Sequence, residues 1–193
     1  MTNQSLPHLA VNCRPAAEND TADVLELSSH IWEGEDYVPR VWHDWLADKD
    51  GLLAVAEHKD RVIGLGKLTR LSSEDWWMEG LRVHPDFEGR GIASQLHGYI
   101  LQYWEQHQQG CLRLATSSER IQVHKLCERT GFQKIGEYGY YQAPKWMEPA
   151  ANLKITREFD IQAVLDRLDT PAYMVIPSDL IDLGWQWTKP SKE

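Results

Sequence analysis

Runs of apolar residues bounded by short polar turns occupy the middle of the chain, and this pattern predicts three β-strands. The runs cover residues 52–57, 61–71 and 76–84, and the turn between the first two is Lys59–Asp60. Side chains alternate between the two faces of a regular strand. We therefore expect four residues of the third strand to share one face: Trp77, Glu79, Leu81 and Val83.

Apolar residues at helical spacing predict four helices around these strands. Asp20 can cap the first helix, and glycines follow the ends of the first, third and fourth. The helices are expected at residues 21–33, 41–47, 92–109 and 119–130. Short strands at 11–14 and 112–115 and a strand pair at 132–141 complete the predicted domain.

A loop with two glycines joins the third strand to the third helix. Gly89 and Gly91 flank Arg90, and the helix begins at Ile92. The first turn of a helix offers unpaired N–H groups and a positive dipole end, and a glycine lets phosphate oxygens approach the backbone. The pattern indicates an anion site, with a simple turn as the alternative. It is neither the P-loop nor the dinucleotide fingerprint, since the Lys-Ser/Thr pair and the third glycine are missing.

Residues 88–93 resemble the phosphate loop of the GNAT superfamily, the Gcn5-related N-acetyltransferases. The loop of that family has glutamine or arginine at its first position, glycine at its fourth and glycine or alanine at its sixth. Gly91 and Ala93 match this pattern, whereas Glu88 departs from it. A carboxylate beside a pyrophosphate is unfavourable unless it points away or pairs with a cation such as Arg82 or Arg90.

A second stretch, Leu126 to Phe132, resembles the other signature of the family in its leucine, glycine and phenylalanine. The resemblance implies an α/β (α+β) GNAT fold, with a mixed, mostly antiparallel central sheet flanked by helices. We expect a flexible N-terminus at 1–9 and the acetyltransferase domain at 10–146. Residues 147–193 would form a C-terminal α/β extension or the start of a second domain, with a helix near 161–168 and strands near 153–155, 173–176 and 185–187.

The resemblance also implies that acetyl-CoA is the cosubstrate. Main-chain groups of the third strand would hold the thioester and pantetheine, and the glycine loop would hold the pyrophosphate. The residues expected to contact CoA are Leu81, Arg82, Val83, Glu88, Gly89, Arg90, Gly91, Ile92, Ala93, Ser94 and His124.

Acetyl transfer from a thioester needs a base that takes the proton of the amine. Glu79 is the candidate, because a carboxylate in an apolar strand is costly unless it is paired or used. The alternative is a salt bridge, for instance with Arg113. For the acid, Cys127 occupies the position of the family's tyrosine, and Tyr138, Tyr140 or Tyr141 could serve instead. Water could also protonate the leaving thiolate. His97 is expected on the surface of the third helix.

The loop at 33–39 would lie over the acceptor site of such a fold. Its candidate substrate-binding residues are Glu35, Asp36 and Tyr37, which could cradle a cation or simply be solvated. An Asp-Tyr-x-Pro loop before a tryptophan-containing helix also resembles the histidine N-acetyltransferase-like branch. The function expected is acetylation of a small-molecule amine or amino acid. The alternatives are a protein or peptide N-acetyltransferase and an inactive acyl-CoA-binding module.

The charge and composition of the chain favour some classes of binding partner and argue against others. The net charge is −9, and no basic run is present, which argues against nucleic acid and suits a cationic amine. The three cysteines have no metal-site spacing, so we expect reduced thiols, no metal and a cytoplasmic location. No apolar run reaches the length of a membrane span. The sequence is compatible with a homodimer.

Overall fold

The computed structural model describes residues 6–107, 110–139, 181–182 and 186–188. The helix expected near 161–168 and the strands expected at 153–155 and 173–176 lie outside the described residues, as does most of the extension.

The core of the fold is a five-stranded sheet in the order β1-β2-β3-β4-β5. Neighbours from β1 to β4 are antiparallel, and β5 is parallel to β4. The strands are β1 (Asn12–Pro15), β2 (Leu52–His58), β3 (Arg61–Arg70), β4 (Asp75–Val83) and β5 (Cys111–Arg113). The expected mixed, mostly antiparallel sheet is therefore confirmed.

Helices cover the sheet on both faces. They are α1 (Thr21–Ser29), α2 (Val38–Ala47), α3 (Ile92–His107) and α4 (Ile121–Arg129). Val55 packs with α1 and α2, whereas its neighbour Ala54 packs in a second cluster with α3. Two cores thus lie back to back, as strand alternation requires. Among the described helices, none combines the length and apolarity needed to cross a bilayer.

One extra residue in β4 makes a β-bulge at Gly80. Gly80 and Leu81 together oppose Gly66 of β3. Gly80 has a φ of 65°, in the left-handed region that favours glycine. A Cβ at this position would lie 2.6 Å from Cη2 of Trp45, so the bulge also needs a residue without a side chain.

The bulge reverses the alternation of side chains after Glu79. Leu81 and Val83 pack against the cluster on the α3 side. Arg82 pairs with Leu65, which belongs to the cluster on the α1–α2 side, and therefore shares the face of Glu79. The prediction that Glu79, Leu81 and Val83 share one face is wrong, because it assumed that side chains alternate without interruption. The inserted residue of the bulge breaks that alternation.

Two further expectations differ from the structure. Residues 132–139 form no strand, although a strand pair was expected at 132–141. His97 is buried rather than exposed, and its Nε2 lies 2.9 Å from Oγ1 of Thr130, the C-cap residue of α4. A two-stranded antiparallel sheet, β6 (Ile181–Asp182) with β7 (Trp187–Thr188), agrees with the strand character expected near residue 187.

Candidate active site

The free edge of β4 is the first feature of the site. β5 pairs with β4 only along Asp75–Trp77, so among the described residues the remainder of β4 has a strand partner on one edge alone. The N–H of His84 donates to the carbonyl of Ile63 on β3 at 2.9 Å. Since backbone groups alternate along a strand, the N–H groups of Val83 and Leu81 point to the opposite, open edge.

The glycine loop lies at the end of this open edge. Gly89 and Gly91 have φ values of 73° and 79°, which glycine adopts without strain. The first α-helical hydrogen bond of the following helix runs from Gln95 to the carbonyl of Gly91 at 3.2 Å. The preceding N–H groups, those of Ile92, Ala93 and Ser94, have no acceptor within the described part of the chain. The loop therefore has the unpaired donors that an anion requires.

The side chains around the loop add one more unpaired donor. Nε of Arg90 is buried and has no hydrogen-bond partner among the described residues, and its guanidinium carbon lies 5.8 Å from the centre of the Phe87 ring. Glu88 is exposed and forms no ion pair in the described part of the chain. Among the described residues its carboxylate therefore pairs with neither Arg82 nor Arg90, the two arginines that could have neutralised it.

An N-terminal segment crosses the loop, a contact that the sequence does not predict. Leu9 donates its N–H to the carbonyl of Arg90 at 3.0 Å, and Nε2 of Gln95 donates to the carbonyl of Leu9 at 2.7 Å. The ring of the exposed His8 lies where a Cβ on Gly91 would be. Within 1–9, expected to be flexible, the described residues are therefore held against the loop. No local pattern could have revealed this pairing.

Glu79 is half-buried on β4, immediately before the bulge. Its Oε1 accepts hydrogen bonds from Oγ1 of Thr69 at 2.7 Å and from Nε2 of Gln186 at 3.0 Å. Its Oε2 has no partner among the described residues. The salt bridge with Arg113 is wrong, because the Arg113 guanidinium pairs with Asp75. The carboxylate is held through one oxygen and has the other available.

The loop before α2 is fixed by a buried ion pair between Asp36 and Arg82. The two side chains are 0% and 12% exposed, and Nη2 of Arg82 lies 3.0 Å from Oδ1 of Asp36. Arg82 therefore faces the loop at residues 33–39, called the acceptor loop below, rather than the glycine loop. The charge of Asp36 is already paired with that of Arg82. The exposed Glu35 is therefore the more available of these two predicted carboxylates for binding a substrate.

Tyr37 lies between Asp36 and the bulge. Its ring meets that of Trp45 edge-on at 6.0 Å. Burial, and then the nearby carboxylates of Glu79 and Asp36, raise the pKa of Tyr37 above its ordinary value despite the opposing effect of Arg82. Tyr37 is therefore a neutral hydrogen-bond donor near Glu79 at neutral pH.

Of the other predicted residues, Cys127 and His124 lie on α4 and Tyr138 lies in the segment that follows it, whereas Tyr140 and Tyr141 lie outside the described residues. Tyr138 is 43% exposed, and its ring stacks on Trp187 at 5.0 Å. Cys127 is half-buried on α4, and burial raises the pKa of its thiol. Nε2 of His124 lies 3.1 Å from the carbonyl of Ser117. Among the described residues, no hydrogen bond or ion pair joins Cys127 or His124 to Glu79 or to the glycine loop.

A cluster of Glu26, His30 and His84 lines a cleft of about 410 Å³ beside the 3-10 turn Pro85–Phe87. The N–H of Asp86 donates to Nδ1 of His84 at 3.2 Å. In a neutral imidazole the proton is then on Nε2, which faces Oε1 of Glu26 at 3.6 Å. A metal-bound histidine instead donates its second ring nitrogen. The hydrogen bond to Nδ1 of His84 therefore differs from that of a metal ligand, and the expected absence of a metal remains a prediction.

Comparison with known sequences identifies the class of protein. The sequence pattern of the acetyltransferase (GNAT) family matches residues 20–132, which include the sheet from β2 to β5, the glycine loop and α4. The chain belongs to the GNAT family, and the resemblance seen in the sequence is confirmed.

Individual proteins of known activity or structure resemble parts of this chain. The chain is 34% identical to histidine N-acetyltransferase from Xenopus tropicalis over 45% of its length, and 31% identical to N-acetylaspartate synthetase from Rattus norvegicus over 52%. It spans only 27% and 31% of the lengths of those relatives. Among solved structures, the aminoglycoside acetyltransferase AAC(6')-Iy, in complex with a CoA-containing bisubstrate analogue, superposes with a TM-score of 0.58 at 18% identity. That alignment covers 71% of this chain and 100% of the other, and it shows a common fold.

Proposed function

We propose that this protein is an acetyl-CoA-dependent N-acetyltransferase that acetylates the primary amine of a small molecule or amino acid by direct attack in a ternary complex. The observation that carries the proposal is the position of Glu79. Its half-buried carboxylate lies beside the open edge of β4 and is oriented through Oε1, and its Oε2 has no partner in the part of the chain that the structure describes.

The cosubstrate would bind along the open edge of β4 and the glycine loop. The unpaired N–H groups of Ile92, Ala93 and Ser94 and the buried Nε of Arg90 suit a pyrophosphate. The N–H groups of Leu81 and Val83 suit pantetheine and the thioester carbonyl. The similarity to AAC(6')-Iy, which was solved with a CoA-containing analogue, supports this assignment.

In the reaction, the amine nitrogen attacks the thioester carbonyl carbon and forms the C–N bond. The C–S bond breaks, and CoA leaves as a thiolate. Oε2 of Glu79 takes the proton released from the amine, directly or through water. Tyr138 is the nearer candidate for protonating the thiolate, since it stacks on Trp187 beside Gln186, which contacts Glu79. Cys127 and water remain the alternatives.

An amino acid is the preferred acceptor class, because histidine and aspartate appear in the names of the relatives. Exposed carboxylates on the acceptor loop, such as Glu33 and Glu35, would attract an ammonium group. A peptide acceptor and an inactive CoA-binding module are the alternatives. The cytoplasmic location and the homodimer remain predictions.

A panel of amines and amino acids with acetyl-CoA, read out as free thiol, tests the proposed activity. With an active acceptor, Glu79→Gln should lower kcat by about 100-fold or more, because the amide takes no proton. CoA affinity should not change. Glu105→Gln, on the exposed surface of α3, is the matched control. Unchanged turnover in Glu79→Gln would show that Glu79 is not the base. CoA binding without turnover across the panel would instead support the binding module.

The glycine loop is tested by CoA titration calorimetry of Gly91→Ala. A Cβ at Gly91 would need an unfavourable φ of 79° and would collide with His8. We expect CoA affinity to fall while the variant stays folded. Gly98→Ala is the matched control, since nothing lies within 4 Å of a Cβ there. If Gly91→Ala binds CoA as the wild type does, the loop is not the pyrophosphate site.

A further inference from the structure

We infer that the C-terminal segment 186–188 is part of the active site, and that Gln186 is a positioning residue for the carboxylate of Glu79. The inference rests on the proposed function of Glu79. It assigns a role to a part of the chain that lies far beyond residues 20–132, to which the family pattern is confined.

The contact between the two side chains is direct. Nε2 of Gln186 donates to Oε1 of Glu79 at 3.0 Å, and Oγ1 of Thr69 donates to the same oxygen at 2.7 Å. Two donors from different directions fix the rotation of the carboxylate, which one donor would leave variable. Both are neutral, so they orient the group without cancelling its charge by an ion pair. The arrangement leaves Oε2 without a donor among the described residues, so this oxygen can take the proton of an acceptor amine.

The segment is anchored next to Gln186 by a buried tryptophan. Trp187 is 8% exposed and packs against Trp77 of β4 with ring centres 5.7 Å apart. Its ring also stacks on Tyr138 at 5.0 Å with an interplanar angle of 27°. Burying a large aromatic side chain contributes strongly to packing. Trp187 thereby brings Tyr138, the candidate acid, to the same side of β4 as Glu79.

A second anchor lies one residue further on. Oγ1 of Thr188 donates to Oδ2 of Asp75 at 2.7 Å, and Asp75 is buried and paired with Arg113 of β5. The segment is therefore attached at the end of β4 that pairs with β5, while Gln186 reaches the middle of β4. Anchors at this end hold Gln186 at a fixed distance from Glu79, which is what a positioning residue needs.

The test compares Gln186→Leu and Gln186→Met with wild-type protein, using acetyl-CoA and an active amine. Both changes keep the approximate size of the side chain and remove the N–H donor. We expect kcat to fall by roughly 10- to 100-fold, because a misplaced reacting group costs this much, with little change in CoA affinity or Tm. Gln102→Leu, on the exposed surface of α3, is the control. Wild-type kcat in both Gln186 variants would overturn the inference.

A double-mutant cycle separates positioning from packing, with residual rates measured in single turnovers. In the Glu79→Gln background, Gln186→Leu should have no further effect, because no base is left to position. An equal loss in both backgrounds would show that Gln186 acts independently of Glu79 and would overturn the inference alone. Unchanged turnover in Glu79→Gln would overturn the proposed base and, with it, the role of Gln186. The two failures are therefore distinguishable.

Discussion

The buried pair of Asp36 and Arg82 gives a prediction whose size can be worked out from the structure. Asp36 is fully buried, and Arg82 makes three contacts of 3.0–3.3 Å with its carboxylate. The guanidinium also lies over the rings of Trp32 and Tyr37, at 4.4 and 5.3 Å. Asp36→Ala would leave the guanidinium enclosed without its carboxylate.

Removing one partner of a buried ion pair typically costs about 3–5 kcal/mol, because the remaining charge is uncompensated. A domain is stable by only about 5–15 kcal/mol in total. The pair also holds a strained turn, since Trp32 and Glu33 have φ values of 47° and 58°, each of which costs about 1–2 kcal/mol. Asp36→Ala should therefore be among the most destabilising single changes in the acceptor loop.

Urea unfolding at pH 7 measures the effect in Asp36→Ala, Arg82→Ala and the double variant. Each single change should cost about 3–5 kcal/mol. The double variant should cost less than their sum by about 1–3 kcal/mol, because it leaves no unpaired charge. The exposed pair of Lys134 and Glu137, 2.7 Å apart, is the control, and Glu137→Ala should cost far less than Asp36→Ala because water screens the exposed charges.

Additive losses in the double variant would refute the reasoning, since they would mean that the two charges do not stabilise each other. A loss below about 1 kcal/mol in Asp36→Ala would do the same, since it would show that water reaches the guanidinium.

Three further changes test other parts of the structure. His8→Ala should raise CoA affinity in calorimetry, because its ring covers Gly91; a lower affinity would make His8 a CoA ligand. Gly80→Ala should lower the free energy of unfolding in urea by about 2–4 kcal/mol, through backbone strain and contact with Trp45, and an unchanged stability would contradict the bulge. Burial lowers the pKa of His97 from its ordinary 6.5, so the unfolded chain binds the proton more tightly. Stability should fall below about pH 6.5 by up to about 1.4 kcal/mol per pH unit; His97→Gln should flatten this slope, and an unaltered slope would contradict it.

The chemistry of the site was only partly readable from the chain. Glu79 stood out because a carboxylate within an apolar strand must be paired or used. Its partners did not, since Thr69 is on the neighbouring strand and Gln186 is far along the chain. Arg82 was expected to serve the phosphate loop, and the bulge turns it towards Asp36 instead.

The sequence by itself determined the order of strands and helices from β1 to α4 and the position of the glycine loop. Those features depend on residues within a few positions of one another, through apolar periodicity and the backbone freedom of Gly89 and Gly91. The strand bounds agree with the expectation to within one or two residues from β1 to β5.

Only the tertiary structure decided which side chains meet across the site. The bulge at Gly80, the covering of Gly91 by His8 and the contact of Gln186 with Glu79 are all examples. Each joins segments that are distant in sequence, or depends on the pairing of two strands. Such contacts arise from the packing of the whole sheet, and no local pattern of residues records them.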